Sequence, residues 1–492
     1  MNIFDLFYQK KDLIGKLFLA FSILLLIYLF ITPINTTYIN IDERFTVNLV
    51  QLSYNDMMLQ MMGDVHPPLY YFFLLPLTKL FNLGNNIFAF KIVSIIPYAL
   101  MLILASTKIR KEYGWLTAGL YVFSMGTMSD FFMKYLTIRN YSWSMLFLTL
   151  SFVFLKDVLS KSDKKSWILF TFFNLCCIYT HNILFISVAL MYLVILVHYL
   201  IEKDTISLKN ELKKWFISGI TLFILYLPWL NVLRLQVNEK QGNSLVTFGL
   251  YDFFKCFISF AVYNSNKIQY ILTIILFVLV VILAINKYRM EKNIENYHLL
   301  SGVGLFVLTL IIGSVILPLL FAPITVRYLL PTYAVFFMAI AILTGKIENK
   351  KLFMILLILI TVIGCINFIT VNNIANNKYK EGIHEQNTLD KINNEKSIVL
   401  FNESFLYMCY NYNLENTQII ALKQLPIDYN GKYSVETNLT KILEENPDKD
   451  IYFIKTVSKK KDTNLGKNIK VKKGKILGNY HYLKLKPKKS SQ

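Results

Sequence analysis

This chain has little charge and few cysteines. Of its 492 residues 17% are charged and 55% hydrophobic, and its mean hydropathy is +0.46. A soluble domain of this length has no use for so much apolar surface. The five cysteines are scattered, with Cys176 and Cys177 inside an apolar run. Their odd number argues against a complete disulfide framework, and no spacing fits a zinc site. No internal repeat and no long low-complexity tract is visible. Acidic residues are the scarcer sign, 31 against 51 basic, which leaves a net charge of +20. The lysines sit in short loops and at the tail. That pattern sets membrane topology and meets anionic lipid, and it argues against nucleic-acid binding.

What the chain does have is a series of apolar runs near twenty residues long, the thickness of a bilayer core. They place spans at roughly 13–32, 88–107, 114–131, 139–155, 166–181, 183–201, 215–233, 268–286, 298–320, 328–345 and 351–371. The first run is too long, and lacks the small-residue cleavage site, for a removed signal peptide. The segment Pro67–Phe81 is apolar but short, with Pro76 and Lys79 inside it. It reads as an interfacial helix in the first external loop. Charge supports that choice. With this segment not spanning, Lys10, Lys11 and Lys16, Lys108 to Lys111, Lys156 to Lys165, Lys203 to Lys214, Lys287 to Lys292 and Lys346 to Lys351 all fall on one face. That face is cytoplasmic by the positive-inside rule. The expectation is a multi-pass plasma-membrane protein with about eleven spans.

After residue 371 the composition changes. Runs such as "SIVLF", "TQIIAL" and "DIYFIK" alternate with helix-compatible stretches such as "NLTKILEENPDKD". Residues 372–492 therefore read as a small extracytoplasmic α/β domain with a basic tail. Residues 1–371 form the membrane module, with the first external loop at 33–87.

The external loops hold the polar residues of interest. Asp42 and Glu43 follow the first span, and Asp64, His66, Pro67 and Pro68 follow in "DVHPPLYY". Charge near a membrane is costly and tends to serve function. Adjacent acids on a helix point about 100° apart. They therefore suit different jobs: Asp42 as a general base and Glu43 as a supporting or metal-facing group. The proline pair favours an extended entry and a helix start, where a histidine is placed to touch a phosphate or sugar hydroxyl. Arg139 and Arg327 each open a span at the external face. Two readings stand for each: snorkelling to lipid headgroups, or a fork that clamps an anionic group. Lys91 adds the same charge near the second span. Tyr141 and Tyr328 follow the arginines, and His181 with Asn182 forms a short external turn. A divalent metal is left open. Glu43, Asp64 and His66 would supply ligands, but the sequence fixes no geometry.

The acidic pair, then "DVHPPLYY", then an arginine at the outer start of a later span, resembles the GT-C membrane glycosyltransferases. The nearest likeness is to protein O-mannosyltransferases and bacterial aminoarabinose transferases, over about residues 13–337. "YTHN", "YLPWL" and "VRYLLP" look like further landmarks in the same order. The resemblance implies a sugar donor on polyprenyl phosphate and an inverting transfer of a hexosyl or pentosyl group. The acceptor would be a hydroxyl on a cell-envelope protein, polymer or lipid. Asp42 matches the catalytic base and Glu43 its neighbour. Asp64 and His66 match the second loop motif. Lys91, Arg139, Tyr141, His181 and Arg327 are the remaining candidates for substrate binding. Two departures stand out: related bacterial chains often carry arginine where Lys91 stands, and an acid shortly before the residue matching Arg139, where this chain has Thr137 and Ile138. A rival chemistry on the same scaffold moves a larger lipid-linked glycan. A rival class is a transporter or flippase for a lipid-linked sugar. Transporters place charges near the midplane and often repeat their halves, and neither feature is visible here.

Overall fold

The structure is a computed structural model that describes residues 3–32, 39–62, 66–81, 86–202, 205–240, 250–263, 267–316, 326–410, 414, 416–422, 433–456, 469–477 and 480–487. Two compact units emerge, and they do not follow chain order. The first joins Met1–Asn35 to Ser53–Ile374, and the second joins Thr36–Leu52 to Ala375–Gln492.

The first unit is helical. Among the described residues nine helices are long and apolar enough to cross a membrane. Ile87–Thr127 would be about 60 Å long as a straight rod, roughly twice a bilayer core. It is instead a hairpin of α6 (Ile87–Leu104) and α7 (Arg110–Thr127), joined by a π-helical turn at Ala105–Ile109. Gly114 supplies the break at φ 86°, a conformation that glycine takes without a Cβ clash. The Tyr98 hydroxyl on α6 donates to the Val122 carbonyl on α7 at 3.1 Å, although 24 residues separate them. The hairpin accounts for two of the expected spans. The 17-residue α10 (Lys164–Thr180) accounts for the one expected at 166–181. Each of the eleven expected spans overlaps a described helix. The 12-residue α5 (Leu69–Leu80) is about 18 Å long, too short to cross, as expected for Pro67–Phe81.

Without a hydrophobic drive inside lipid, helices associate through close packing. Gly15 on α2 (Lys11–Ile31) and Gly119 on α7 are the clearest case. A Cβ on Gly119 would run into the Gly15 carbonyl, and one on Gly15 into the Trp115 backbone. The outer faces carry exposed Leu24, Ile103, Ile271 and Ile358, as lipid contact requires.

The second unit is a six-stranded sheet in the order β3-β2-β1-β4-β6-β5. Its strands are β1 (Ser397–Phe401), β2 (Gln418–Ala421), β3 (Tyr433–Val435), β4 (Asp450–Thr456), β5 (Ile469–Leu477) and β6 (Tyr480–Pro487). β1 to β4 pair in parallel, and β6 and β5 close one edge antiparallel. Ile398, Leu400, Phe453, Leu483 and Leu485 pack with Ile442 and Leu443 in one core. The last two lie on the helix Leu439–Glu445. The chain is thus a polytopic α-helical membrane protein with a small C-terminal α/β unit. All five cysteines are free thiols.

Candidate active site

The candidate residues fall in both units, and each set is built by its own neighbours.

In the first unit the chain after α4 (Tyr54–Met62) leads, through residues outside the described set, to His66, Pro67 and Pro68 at the start of α5. Asp64 lies outside the described residues. Two buried segments meet His66. One is the entry to α9 (Tyr141–Ser160), with Arg139 and Asn140. The other is the turn His181–Asn182 between α10 and α11 (Leu184–Glu202). Asn140 ties them. Its Nδ2 donates to His66 Nδ1 at 3.3 Å and to the Thr180 carbonyl. The result is a nest of rings. His66 lies 5.3 Å from His181, 6.1 Å from Tyr328 and 6.3 Å from Tyr141, centroid to centroid. His181 lies 6.0 Å from Tyr141 and 5.7 Å from Tyr328. Rings at these separations prefer edge-on contacts, which most of these pairs make.

Positive charge gathers around the nest. Arg139 is buried and donates through one terminal nitrogen to the Tyr71 hydroxyl at 3.3 Å. Arg327 is exposed, 5.4 Å from the ring of Tyr328. Burial drives the His181 pKa down to about 3, and the charges of Arg139 and Arg327 push the same way. His181 is therefore a neutral ring. Its Nδ1 accepts from the Ile183 amide at 3.3 Å, which puts the proton on Nε2. That buried Nε2–H has no acceptor among the described residues. A neutral donor with two guanidinium charges acting on it is suited to an anion.

Lys134 is a residue the sequence reading passed over. It lies on α8 (Phe131–Tyr135), forms an ion pair with Asp130 at 3.0 Å, and stands 4.8 Å from the Tyr141 ring centre. Burial acts to lower its pKa, but Asp130 and Tyr141 outweigh it and hold the ammonium above its usual value. The i,i+4 spacing in "DFFMK" was the available signal. Lys91 is wholly buried on α6, one turn before Ser94, whose hydroxyl meets that of Tyr70 at 3.3 Å. Gln236 is a second omission. It donates to the Met61 carbonyl at 3.1 Å and receives Asn182 Nδ2 at 3.4 Å. The helix Thr205–Lys240 thereby steadies both the α4 end and the histidine turn.

In the second unit Asp42 and Glu43 open α3 (Ile41–Leu49). Asn40 starts it with a capping box. Its Oδ1 accepts from the Glu43 amide at 3.1 Å, and the Glu43 carboxylate accepts from the Asn40 amide at 2.9 Å. Glu43 is buried, and one of its oxygens is committed to the helix start. Asp42 is half-buried. The metal set suggested by the sequence includes Asp64, so its geometry lies outside the described residues. Among the described residues no group of three His, Cys, Asp or Glu could hold a metal.

Two apolar grooves of about 520 and 310 Å³ run along α10, α11 and the helix Thr205–Lys240. None of the candidate residues lines either one.

No protein-family model matches the sequence, and no curated protein matches it. Solved structures do. ArnT from Cupriavidus metallidurans bound to undecaprenyl phosphate aligns over 95% of this chain and 97% of its own, with a TM-score of 0.57 at 10% identity. This chain shares the ArnT fold. The apo state of the same protein covers the same shares at 12% identity with a TM-score of 0.41.

Proposed function

We propose that this protein is a membrane glycosyltransferase that moves a sugar from a polyprenyl-phosphate donor to a hydroxyl of a cell-envelope acceptor. The observation that carries this reading is the buried Nε2–H of His181, which has no acceptor among the described residues, with the charges of Arg139 and Arg327 acting on its ring. The ArnT fold supports it, because that neighbour was solved with undecaprenyl phosphate bound.

In this reading Asp42 takes the proton from the acceptor hydroxyl. The acceptor oxygen then forms a bond to the anomeric carbon while the bond from that carbon to the phosphate oxygen breaks. Configuration inverts in this single displacement. Polyprenyl phosphate leaves with the electron pair and one more negative charge. Arg139 and Arg327, with His181 Nε2 as a neutral donor, stabilise that charge. Preorganised donors of this kind are each worth about 3–4 kcal/mol when removed one at a time. His66 and Tyr141 shape the nest, and Lys91 adds charge from α6. Glu43 fixes the helix that carries the base. A requirement for a divalent ion is tested by chelation: loss of transfer, restored by one ion, supports it, and full activity in chelator removes it. We place the catalytic loop and the C-terminal unit outside the plasma membrane, on the face that lacks the positive loops.

The test is release of polyprenyl phosphate from polyprenyl-phosphate hexoses and pentoses in liposomes. It is run with and without a cell-envelope extract. Release that needs the extract and Asp42 supports the transferase. Donor movement between leaflets without release replaces it with a transporter.

A further inference from the structure

The second unit holds one buried charge network that the reaction above does not use. Arg44 lies on α3, two residues after Asp42, and is 4% exposed. A guanidinium removed from water needs a partner, since its desolvation is otherwise uncompensated. Glu385, also buried, places Oε1 4.0 Å from it. The same oxygen accepts from the Tyr410 hydroxyl at 2.8 Å and from the Tyr482 hydroxyl at 3.2 Å. The Arg44 guanidinium also stands 5.2 Å from the centre of the Tyr410 ring. Burial, with the nearby Glu385 charge, raises both phenol pKa values well above normal, so both stay protonated as donors.

The four residues come from four separate segments. They lie on α3, on the helix Lys350–Ile392, on the helix Ser404–Tyr410 and on β6. Side chains two apart on a helix point about 200° from each other. The face of α3 that carries Arg44 is therefore nearly opposite the one that carries Asp42. Phe45, Val47 and Leu49 are buried as well, and the capping box fixes the first turn.

We propose that Glu385, held by Tyr410 and Tyr482, seats α3 through Arg44, and that this seat positions Asp42 for proton removal. The inference rests on the reading of Asp42 as the base. Glu385 and Arg44 are positioning residues: they touch neither donor nor acceptor. A base displaced by as little as 1 Å loses about a hundredfold in rate.

The experiment is a set of full-length variants in the liposome assay: Asp42→Asn, Glu385→Gln, Arg44→Gln, the pair Arg44→Gln with Glu385→Gln, and Asp42→Asn with Glu385→Gln. Each single change at the seat should lower kcat ten- to a hundredfold with little change in donor KM. The neutral pair should recover part of that loss, because neither buried partner is left charged and alone. Glu385→Gln should add nothing on the Asp42→Asn background. A Glu385→Gln enzyme with full kcat overturns the inference while Asp42→Asn stays inactive. So does a Glu385→Gln loss that multiplies the Asp42→Asn loss, since that marks a general structural role. An active Asp42→Asn enzyme overturns the underlying reading instead.

Discussion

Two clusters of charge and polar rings, one in each unit, are built in different ways. In the membrane unit Lys134 pairs with Asp130, and the charges of Arg139 and Arg327 act on His181. The His181 ring is driven neutral and keeps a donor without an acceptor among the described residues. In the C-terminal unit the buried cation Arg44 meets a carboxylate that already receives two hydroxyls. In the first, the His181 Nε2–H meets no acceptor among the described residues, whereas in the second the Glu385 carboxylate is held by a cation and two hydroxyls. A buried donor with no acceptor among the described residues is suited to receive one. A satisfied network is built to hold a backbone still. The proposed division follows: the membrane unit binds the phosphate, and α3 supplies the base.

The sharpest way to break this division is to remove the base alone. Asp42→Asn should cost roughly 10²–10⁴-fold in transfer while donor affinity and folding stay unchanged. Rates from a polyprenyl-phosphate release assay, beside donor binding, would show it. The next largest effect belongs to the cation side. Arg139→Ala should slow transfer by about 10²–10³-fold and also weaken donor binding, and Arg139→Lys should recover only part because the planar fork is lost. If Arg139→Ala left donor binding intact, the phosphate role would move elsewhere.

A change to the membrane frame should act through amount of protein. Gly119→Val forces a branched side chain into the Gly15 carbonyl. Overpacking commonly costs about 1–3 kcal/mol, occasionally more. The expected outcome is less folded protein in detergent and a lower melting temperature. Wild-type levels would mean that the two helices part without cost.

The smallest effect is a pH dependence. His181 has a folded pKa below its unfolded one, so its contribution to stability is complete above about pH 6.5. As pH falls from there toward about 3, the unfolded state gains a proton that the folded state refuses. Stability drops by about 1.4 kcal/mol per pH unit from this group. Melting curves of wild type and His181→Gln between about pH 7 and pH 5 should diverge in slope, with the variant flatter. Equal slopes would put His181 in contact with water or with an anion.

Much of this was legible in the sequence because it is local. Run length near twenty residues locates a span whatever surrounds it, and the proline pair with the shortness of Leu69–Leu80 marked an apolar helix too short to cross. "SIVLF" became β1 and "DIYFIK" lies within β4, since a buried parallel strand is a short apolar run. The lysine-rich β5 and β6 carry no such run and were not foreseen. Nor was the membership of Thr36–Leu52 in the C-terminal unit. It comes from α3 packing on the helix Ser404–Tyr410, with Arg44 meeting Glu385, more than 300 residues away, and no periodicity encodes those contacts. Asn140 was missed for a similar reason. An asparagine beside an arginine has no signal of its own until His66 and Thr180 arrive around it.

The measurement that tests the account most directly is donor binding and transfer in parallel for Asp42→Asn and Arg139→Ala, in liposomes with a polyprenyl-phosphate sugar. The account predicts that Asp42→Asn binds donor like the wild type and transfers roughly 10²–10⁴-fold more slowly, while Arg139→Ala loses affinity as well as rate. The opposite assignment, with donor affinity lost in Asp42→Asn and kept in Arg139→Ala, would contradict it.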